Sequence, residues 1–375
     1  MKKVKICLVS LTIPPDYAGG EGKFFRGIFN YLKQKGYDVT LLTGKWTFEL
    51  DDPQIVQIDL IPKRFFWVPQ FSYGVIKYLN SHRFDIVHGN GPKGTLPIIF
   101  SQNKQFISTI HDLGPFETPF TRFPIEKLLV KYVVDRATYI TTCSEFIRRE
   151  INYYMPYTSL SQIFNLYSAI EEKFKPYPRE AQKLKERLGL DGPVMLYIGR
   201  VAHYKGVEDI INAYLIAKKS LPDLNLVVGG KPDFAMQETY KRWKRRYEDI
   251  RFVGFVPNEQ IPYYYSMADV FVTYSHASEG FGLTPIESIA CGTPVICSSL
   301  LAYKEVLQDN AVFVPPKTPK KLAKAILNLL KDEQYREDLT ERAQSYITRY
   351  TWDEVGKKLE KVYAQFLENK KINPN

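Results

Sequence analysis

Short apolar runs alternate with amphipathic stretches along most of the chain. VKICLVS (4–10) is a compact apolar run that opens into a Pro/Gly loop. EGKFFRGIFNYLKQKG (21–36) then sets Phe24, Phe25, Ile28, Phe29 and Leu32 at helical spacing and stops at Gly36. YDVTLLTG, IVQIDL, FDIVHGN, QFISTIHD and TYITTCS read as further short strands, most with helices between them. At YSAIEEKFKPYPRE (167–180) the pattern breaks into a charged, proline-punctuated linker, and then it restarts. VMLYIG predicts a strand, and 205–220 a helix with Val207, Ile210, Ile211, Tyr214 and Ala217 on one face. NLVVGG, IRFVGF, DVFVTYS and PVICSS follow as strands. TWDEVGKKLEKVYAQFL closes the pattern as an amphipathic helix, with Thr351 and Glu354 as its capping box.

Alternation of this kind implies parallel sheets covered by helices on both faces. A chain of 375 residues exceeds one ordinary core. The expectation is therefore α/β, with two doubly wound domains in tandem: 1–168, and 169–350 followed by a terminal helical segment, 351–375. Ligands of such sheets bind beyond the carboxyl ends of the strands. The chemically suggestive residues fall there.

After the first strand, PPDYAGGEG places Gly19 and Gly20 just ahead of a helix, where bare amides suit an anion. A plain glycine turn accounts for them equally. The segment is neither the G-x-G-x-x-G dinucleotide fingerprint nor a Walker loop. After VMLYIG, the loop RVAHYKG sets Arg200 and Lys205 near a helix N-terminus, whose dipole repels them. An anion such as a diphosphate between them offsets that cost; two solvated surface charges are the bland alternative. SEGFGLTPIESIACGTPVICSS (278–299) reads as loop, helix and strand, with Glu279 and Glu287 among apolar residues. Thr284, Pro285 and Glu287 fit an N-cap, an N1 proline and the acid of a capping box. Holding a polar diol such as a ribose explains Glu287 equally well, whereas Glu279 has no capping role. His111 and Asp112 end the strand QFISTI, and His111 is either structural or catalytic. No Asp-x-Asp pair occurs, which argues against a metal-bridged diphosphate.

Composition narrows the partners. A formal charge of +10, from 51 basic and 41 acidic residues, suits an anionic ligand or an anionic membrane surface. It lacks the concentrated basic stripe of a nucleic-acid binder, so no nucleic acid is expected. Cys7, Cys143, Cys291 and Cys297 form no C-x-x-C pair and sit in apolar segments, as reduced core thiols of a cytoplasmic protein do. The histidines lack metal-ligand spacing, and no metal is expected. MKKVKICLVSLTIPP imitates a signal peptide, but its apolar stretch is short and interrupted, so a first strand is the better reading. No apolar run approaches the ~18 residues that span a bilayer.

Three segments together resemble the retaining glycosyltransferases of family 4 (glycosyl transferases group 1). SEGFGLTPIESIACGTPVI matches their glutamate, seven residues, glutamate signature. IGRVAHYKGVEDIINAY resembles their arginine-lysine loop, and PPDYAGGEGKFFRGIFNYLKQKGYDVTLLTG their N-terminal glycine loop and first helix. The resemblance covers nearly the whole chain in the expected order. It implies the GT-B fold, two Rossmann-like doubly wound domains facing a central cleft. The 1–168 domain would face the acceptor, 169–350 would bind the nucleotide sugar, and the last helix would cross back onto the first domain. Carried over residue by residue, Arg200 and Lys205 would hold the donor diphosphate and Glu287 the ribose. Glu279, Gly280, Phe281 and Gly282 would contact the transferred sugar, and Leu283 and Thr284 the phosphate. Gly19 and Gly20 form the opposing glycine loop, with Gly20 approaching the donor, and His111 would lie beside the anomeric carbon. One departure is YSAIEE, where the family often has an Asn-Gly-Val-Asp run; it is one residue shorter and leaves the linker alignment open.

The implied activity is metal-independent transfer, with retention, from a UDP-, GDP- or ADP-linked sugar to a glycan, lipid-linked or other hydroxyl acceptor. It needs no cofactor beyond that donor substrate and belongs to cell-surface glycan biosynthesis. The implied location is the cytoplasm, with peripheral contact to the membrane's cytoplasmic face through the N-terminal domain. Segments 63–84 and 114–136 mix cations with aromatics as a lipid-facing surface does. For 125–136, Ile125, Leu128, Leu129, Tyr132 and Val133 predict an ordinary buried face instead. Two other functions share such folds: a non-catalytic sugar-nucleotide-binding protein, and a nicotinamide oxidoreductase, disfavoured because its fingerprint is absent.

Overall fold

The computed structural model describes residues 4–16, 19–61, 67–117, 124–277 and 279–372. The chain forms two compact units, Met1–Ala169 with Tyr350–Asn375, and Ile170–Arg349. Gly280, Phe281 and the rest of the signature from Glu279 onward are described, whereas Tyr17, Ala18, Ser278, 62–66 (part of the 63–84 segment) and 118–123 lie outside the described residues.

In the first unit the strands are β1 (Lys5–Val9), β2 (Asp38–Lys45), β3 (Ile55–Asp59), β4 (Ile86–Asn90), β5 (Ile107–Ile110), β6 (Tyr139–Thr142) and β7 (Ile163–Asn165). They pair in parallel in the order β3-β2-β1-β4-β5-β6-β7. The second unit holds β8 (Val194–Ile198), β9 (Asn225–Gly229), β10 (Ile250–Gly254), β11 (Val270–Thr273), β12 (Val295–Ser298) and β13 (Val312–Val314), ordered β10-β9-β8-β11-β12-β13. Strand order reverses between β1 and β4 in one sheet and between β8 and β11 in the other. Loops on the two sides of such a reversal leave in opposite directions and open a crevice. The central strands β1, β4, β8 and β11 are largely buried, and β1, β8 and β11 carry near-continuous apolar runs.

The first helix, Gly20–Gln34, buries Phe24, Phe25, Ile28, Phe29 and Leu32. The last helix, Trp352–Ile372, packs in the same core through Val355, Leu359, Val362, Tyr363 and Phe366. Glycines let these two helices approach closely: a Cβ on Gly27 would lie 1.8 Å from the Trp352 ring, and one on Gly356 2.1 Å from the Tyr31 ring. Thr351 caps the last helix, its hydroxyl accepting from the Glu354 N–H at 3.3 Å, while the Glu354 carboxylate takes Lys357 at 2.8 Å.

Two expectations need correction. β7 and β13 are strands that periodicity misses, because three residues are too few to show alternation. In the helix Pro124–Arg136 the inward face is rotated from the expected one, and of the expected residues only Val133 is fully buried. Val130, Val133 and Val134 are buried, while Ile125 and Leu128 are 64% and 62% exposed. The β-branched trio at i, i+3 and i+4 wins the core. Ile125 and Leu128 are left outside, and the ring of the half-buried Tyr132 lies 6.4 Å from the exposed Phe100.

Candidate functional site

The carboxyl end of β8 leads into Gly199 and Arg200. The Tyr197 hydroxyl donates to the Arg200 carbonyl at 2.8 Å, and the Arg200 guanidinium donates to the Tyr204 hydroxyl at 2.7 Å. A single 3-10 turn, His203–Lys205, delivers Lys205 and ends at Gly206 with φ of 62°. A Cβ on Gly206 would sit 2.2 Å from the Tyr274 carbonyl oxygen, so this backbone lies directly against the end of β11. The His276 N–H donates to the Tyr204 carbonyl at 2.7 Å and fixes the two loops together.

This contact brings Lys205 to Glu279, 74 positions away, with Nζ and Oε1 2.5 Å apart. The Ser275 hydroxyl donates to the same oxygen at 2.5 Å. The pair is largely enclosed, its side chains 20% and 10% exposed. Burial pulls the Lys205 pKa down, but the Glu279 charge and hydrogen bond, helped by Tyr204, more than offset it and hold it above its ordinary value. The ammonium therefore stays charged. The Lys205 charge is thus balanced within the protein by Glu279, while Arg200 still repels it. His276 and Asp209, 2.8 Å apart, buttress the same loop. No local spacing signals that pair.

The helix Leu283–Ala290 follows Gly282, its N-cap, with φ of 91° and no side-chain cap. Only glycine fits, because a Cβ would also meet the Tyr303 ring at 2.6 Å. Phe281 is buried, and Leu283 and Thr284 are half-buried at the first turn. The helix thus starts earlier than the capping-box reading requires. Glu287 is its fifth residue, beyond reach of the cap, and is 3% exposed. The Tyr265 hydroxyl donates to Glu287 Oε2 at 3.2 Å. Burial, reinforced by the Glu287 charge, pushes the Tyr265 pKa well up, so the phenol keeps the proton it donates. The capping alternative for Glu287 is removed, and a buried acid beside this helix remains.

Gly19, Gly20 and His111 belong to the other unit. Gly19 is the exposed N-cap of the first helix and makes no side-chain cap bond. His111 Nε2 lies 2.7 Å from Asn90 Oδ1, and its ring meets Phe24 edge-on at 5.4 Å. Burial lowers its pKa to about 4 against the opposing pull of Asp112, so the ring is neutral near pH 7. Beneath it, His88 is fully buried between the Tyr363 hydroxyl at 2.9 Å and the Thr109 hydroxyl at 2.8 Å. Burial, then the neighbouring His111, takes its pKa to about 3. Asn90 and His88 escaped the sequence reading. The available signal was their period-two alternation on β4, which puts two polar side chains on one face of a buried strand.

All four cysteines are buried and free. Burial, then Glu287, raises the Cys291 thiol to about 12. Among the described residues, no group of three or more His, Cys, Asp or Glu side chains has metal-binding geometry, and no helix is long and apolar enough to cross a membrane.

The family description "Glycosyl transferases group 1" matches residues 178–346, and "Glycosyltransferase Family 4" matches residues 18–164. The chain is 28% identical over 276 residues to O-antigen chain mannosyltransferase B of Escherichia coli, covering 70% of each sequence. Its fold is similar to that of a sucrose-phosphate synthase from Thermosynechococcus elongatus, with a TM-score of 0.83 and 23% identity over 98% of this chain and 100% of that one. It is also similar to Anabaena HepE, solved in complex with UDP-glucose, with a TM-score of 0.79 and 17% identity over 96% of this chain and 99% of that one. The two family descriptions follow one another along most of the sequence, one for each doubly wound unit, and the chain belongs to the GT-B glycosyltransferases of family 4.

Proposed function

We propose that this glycosyltransferase moves a sugar, with retention and without a metal, from a nucleotide-diphosphate sugar to a hydroxyl acceptor on a glycan or lipid-linked molecule. The observation that carries the reading is the meeting of Lys205 and Glu279 where strand order reverses between β8 and β11. A cation, a carboxylate and a helix N-terminus there match the charge pattern of a sugar diphosphate. Breaking the anomeric bond builds negative charge on the departing diphosphate and positive character on the ring. Arg200, Lys205 and the amide end of the Leu283–Ala290 helix counter the first, as preorganised charges and dipoles do best when water is excluded. The acceptor hydroxyl attacks from the face the diphosphate leaves, and its proton passes to the departing phosphate oxygen. Glu279 already engages Lys205 and Ser275, which suits binding sugar hydroxyls with Gly280, Phe281 and Gly282 better than nucleophilic attack.

Glu287, now without a capping role, is read as the ribose ligand, and Leu283 and Thr284 as phosphate contacts. Gly19 and Gly20 remain a glycine loop suited to an anion, and His111 a neutral hydrogen-bond acceptor for a sugar hydroxyl. The E. coli relative's name, which refers to an O-antigen chain, and the UDP-glucose bound to HepE support a sugar-nucleotide donor and a glycan acceptor. The exposed Phe100, Ile125 and Leu128, beside Lys127 and Lys131, favour peripheral contact with an anionic membrane that carries an amphiphilic acceptor.

The decisive variant is Lys205→Ala. Loss of a charge stabilising a leaving group lowers kcat by about 10²–10³-fold, with the helix and sheet content unchanged by circular dichroism. Near-normal turnover in that variant refutes the assignment. A thermal-shift panel of UDP-, GDP- and ADP-sugars identifies the donor, since a ligand that binds only the native form raises its apparent stability.

A further inference from the structure

Asn90 is 6% exposed at the end of β4, and its amide joins three segments of the first unit. Its Nδ2 donates to Ser10 Oγ at 2.7 Å and to the Glu21 carbonyl at 3.1 Å. These partners fix which way the amide points. The Glu21 carbonyl only accepts, and the Ser10 hydroxyl spends its proton on the Thr12 carbonyl at 2.9 Å, so both face the NH₂ group. Oδ1 is thereby turned to His111 Nε2 at 2.7 Å, and an amide oxygen accepts only. Nε2 must carry the hydrogen.

We propose that Asn90 is a positioning residue: it holds the His111 ring as the Nε2–H tautomer and so leaves Nδ1 as a lone-pair acceptor for a hydroxyl of the sugar substrate. The proposal rests on the role given to His111 above. Among the described residues Nδ1 has no hydrogen-bond partner. The nitrogen of an imidazole that is free to act is set by the bond the other nitrogen makes. The location suits the role, since Asn90 stands where strand order reverses between β1 and β4, the usual ligand-binding point of such sheets. The other two hydrogen bonds of the Asn90 side chain go to Ser10 in the loop after β1 and to Glu21 in the first helical turn, so the ring is tied to the segment that follows the glycine loop at Gly19 and Gly20.

The groups that set the ring's charge are few. Burial opposes protonation, while Asp112 on its own loop favours it. The Cys143 thiol, after β6, donates to the His111 carbonyl at 3.1 Å and leaves the ring untouched. Asn90 adds no charge, which keeps the imidazole neutral. A carboxylate at the same position would do the reverse.

The test uses the full-length protein with ¹⁵N-labelled histidine. At pH 7, nitrogen chemical shifts of His111 are expected to report a neutral Nε2–H ring. In Asn90→Asp, nearly the same shape as asparagine, the added charge favours imidazolium, so the acid limb of the kcat profile moves up by at least about one pH unit. In Asn90→Ala the ring is released, and kcat falls about tenfold to a hundredfold with KM nearly unchanged, as when other groups that orient a catalytic imidazole are lost. A wild-type ring that is Nδ1–H or protonated at pH 7 overturns the proposal. So does an acid limb that stays in place in Asn90→Asp while His111→Ala is inactive. Wild-type turnover in His111→Ala identifies the different failure, that of the role assigned to His111 itself, and the proposal falls with it.

Discussion

Replacing Gly206 with alanine probes the contact on which the donor site depends, and Gly189 supplies its control. Both glycines have left-handed backbones, φ 62° and φ 64°. An alanine at either position therefore pays roughly 1–2 kcal/mol for that conformation. Around Gly189 a new Cβ meets nothing within 4 Å, whereas at Gly206 it lies 2.2 Å from the Tyr274 carbonyl oxygen and 2.8 Å from His276 Nε2. Ordinary contact begins near 3.4 Å, so the two backbones must part by about 1 Å. Overpacking of this kind adds about 1–3 kcal/mol. Since Gly206 follows Lys205, and Tyr274 precedes the Ser275 that holds Glu279, the separation opens the Lys205–Glu279 pair. A shift of that size costs about 10²-fold in rate. In thermal unfolding of a unit this size, Gly189→Ala should lower Tm by about 2–8 °C and Gly206→Ala by roughly twice that or more. Steady-state transfer assays should find Gly189→Ala near wild type and Gly206→Ala slower by about a hundredfold. Equal stability and equal turnover in the two variants would refute the close approach of the β8 and β11 loops.

Two further outcomes are open to direct measurement. His88 and His111 have folded pKa values of about 3 and about 4, below the ordinary 6.5 of the unfolded chain, so the unfolded state binds more protons in acid. Their contribution to stability is complete above pH 6.5 and is lost as pH falls through the folded values, the larger loss, roughly 3–6 kcal/mol, belonging to the fully buried His88. His88→Asn should therefore flatten the acid side of the Tm–pH profile between pH 6.5 and 4; a profile as steep as wild type would contradict the buried neutral ring. The exposed stripe of Phe100, Ile125 and Leu128 should carry the protein to the top of a sucrose gradient with anionic liposomes. Leu128→Glu should abolish that flotation without changing Tm, and a wild-type protein that stays at the bottom ends the membrane reading.

The candidate residues were singled out locally, for identifiable reasons. Gly19, Gly20, Arg200, Lys205, Glu279 and Glu287 each fall in or just after a loop that follows an apolar strand, which is where doubly wound sheets bind ligands; of these, the fold brings Lys205 and Glu279 into contact. Glu287 was found with the wrong structural alternative. Thr284-Pro285 has the residue types of a helix start, yet the start is decided by Gly282, whose left-handed backbone lies against the Tyr303 ring. The inner face of 124–136 was misread because leucine and valine compete at neighbouring helical angles, and only the opposing sheet selects between them.

The sequence by itself determined what depends on neighbours along the chain: the strands long enough to show a period, the amphipathic helices, and the loops that carry glycines and charges. The tertiary structure alone decided which loops meet. Lys205 reaches Glu279 across 74 positions, and His88 reaches Tyr363 across 275, because parallel pairing brings distant strands side by side in an order that no local period encodes. Charge, tautomer and burial follow from those meetings. Hydrophobic periodicity fixes which way a side chain faces, whereas its electrostatic environment is made by residues that only the closed fold brings near.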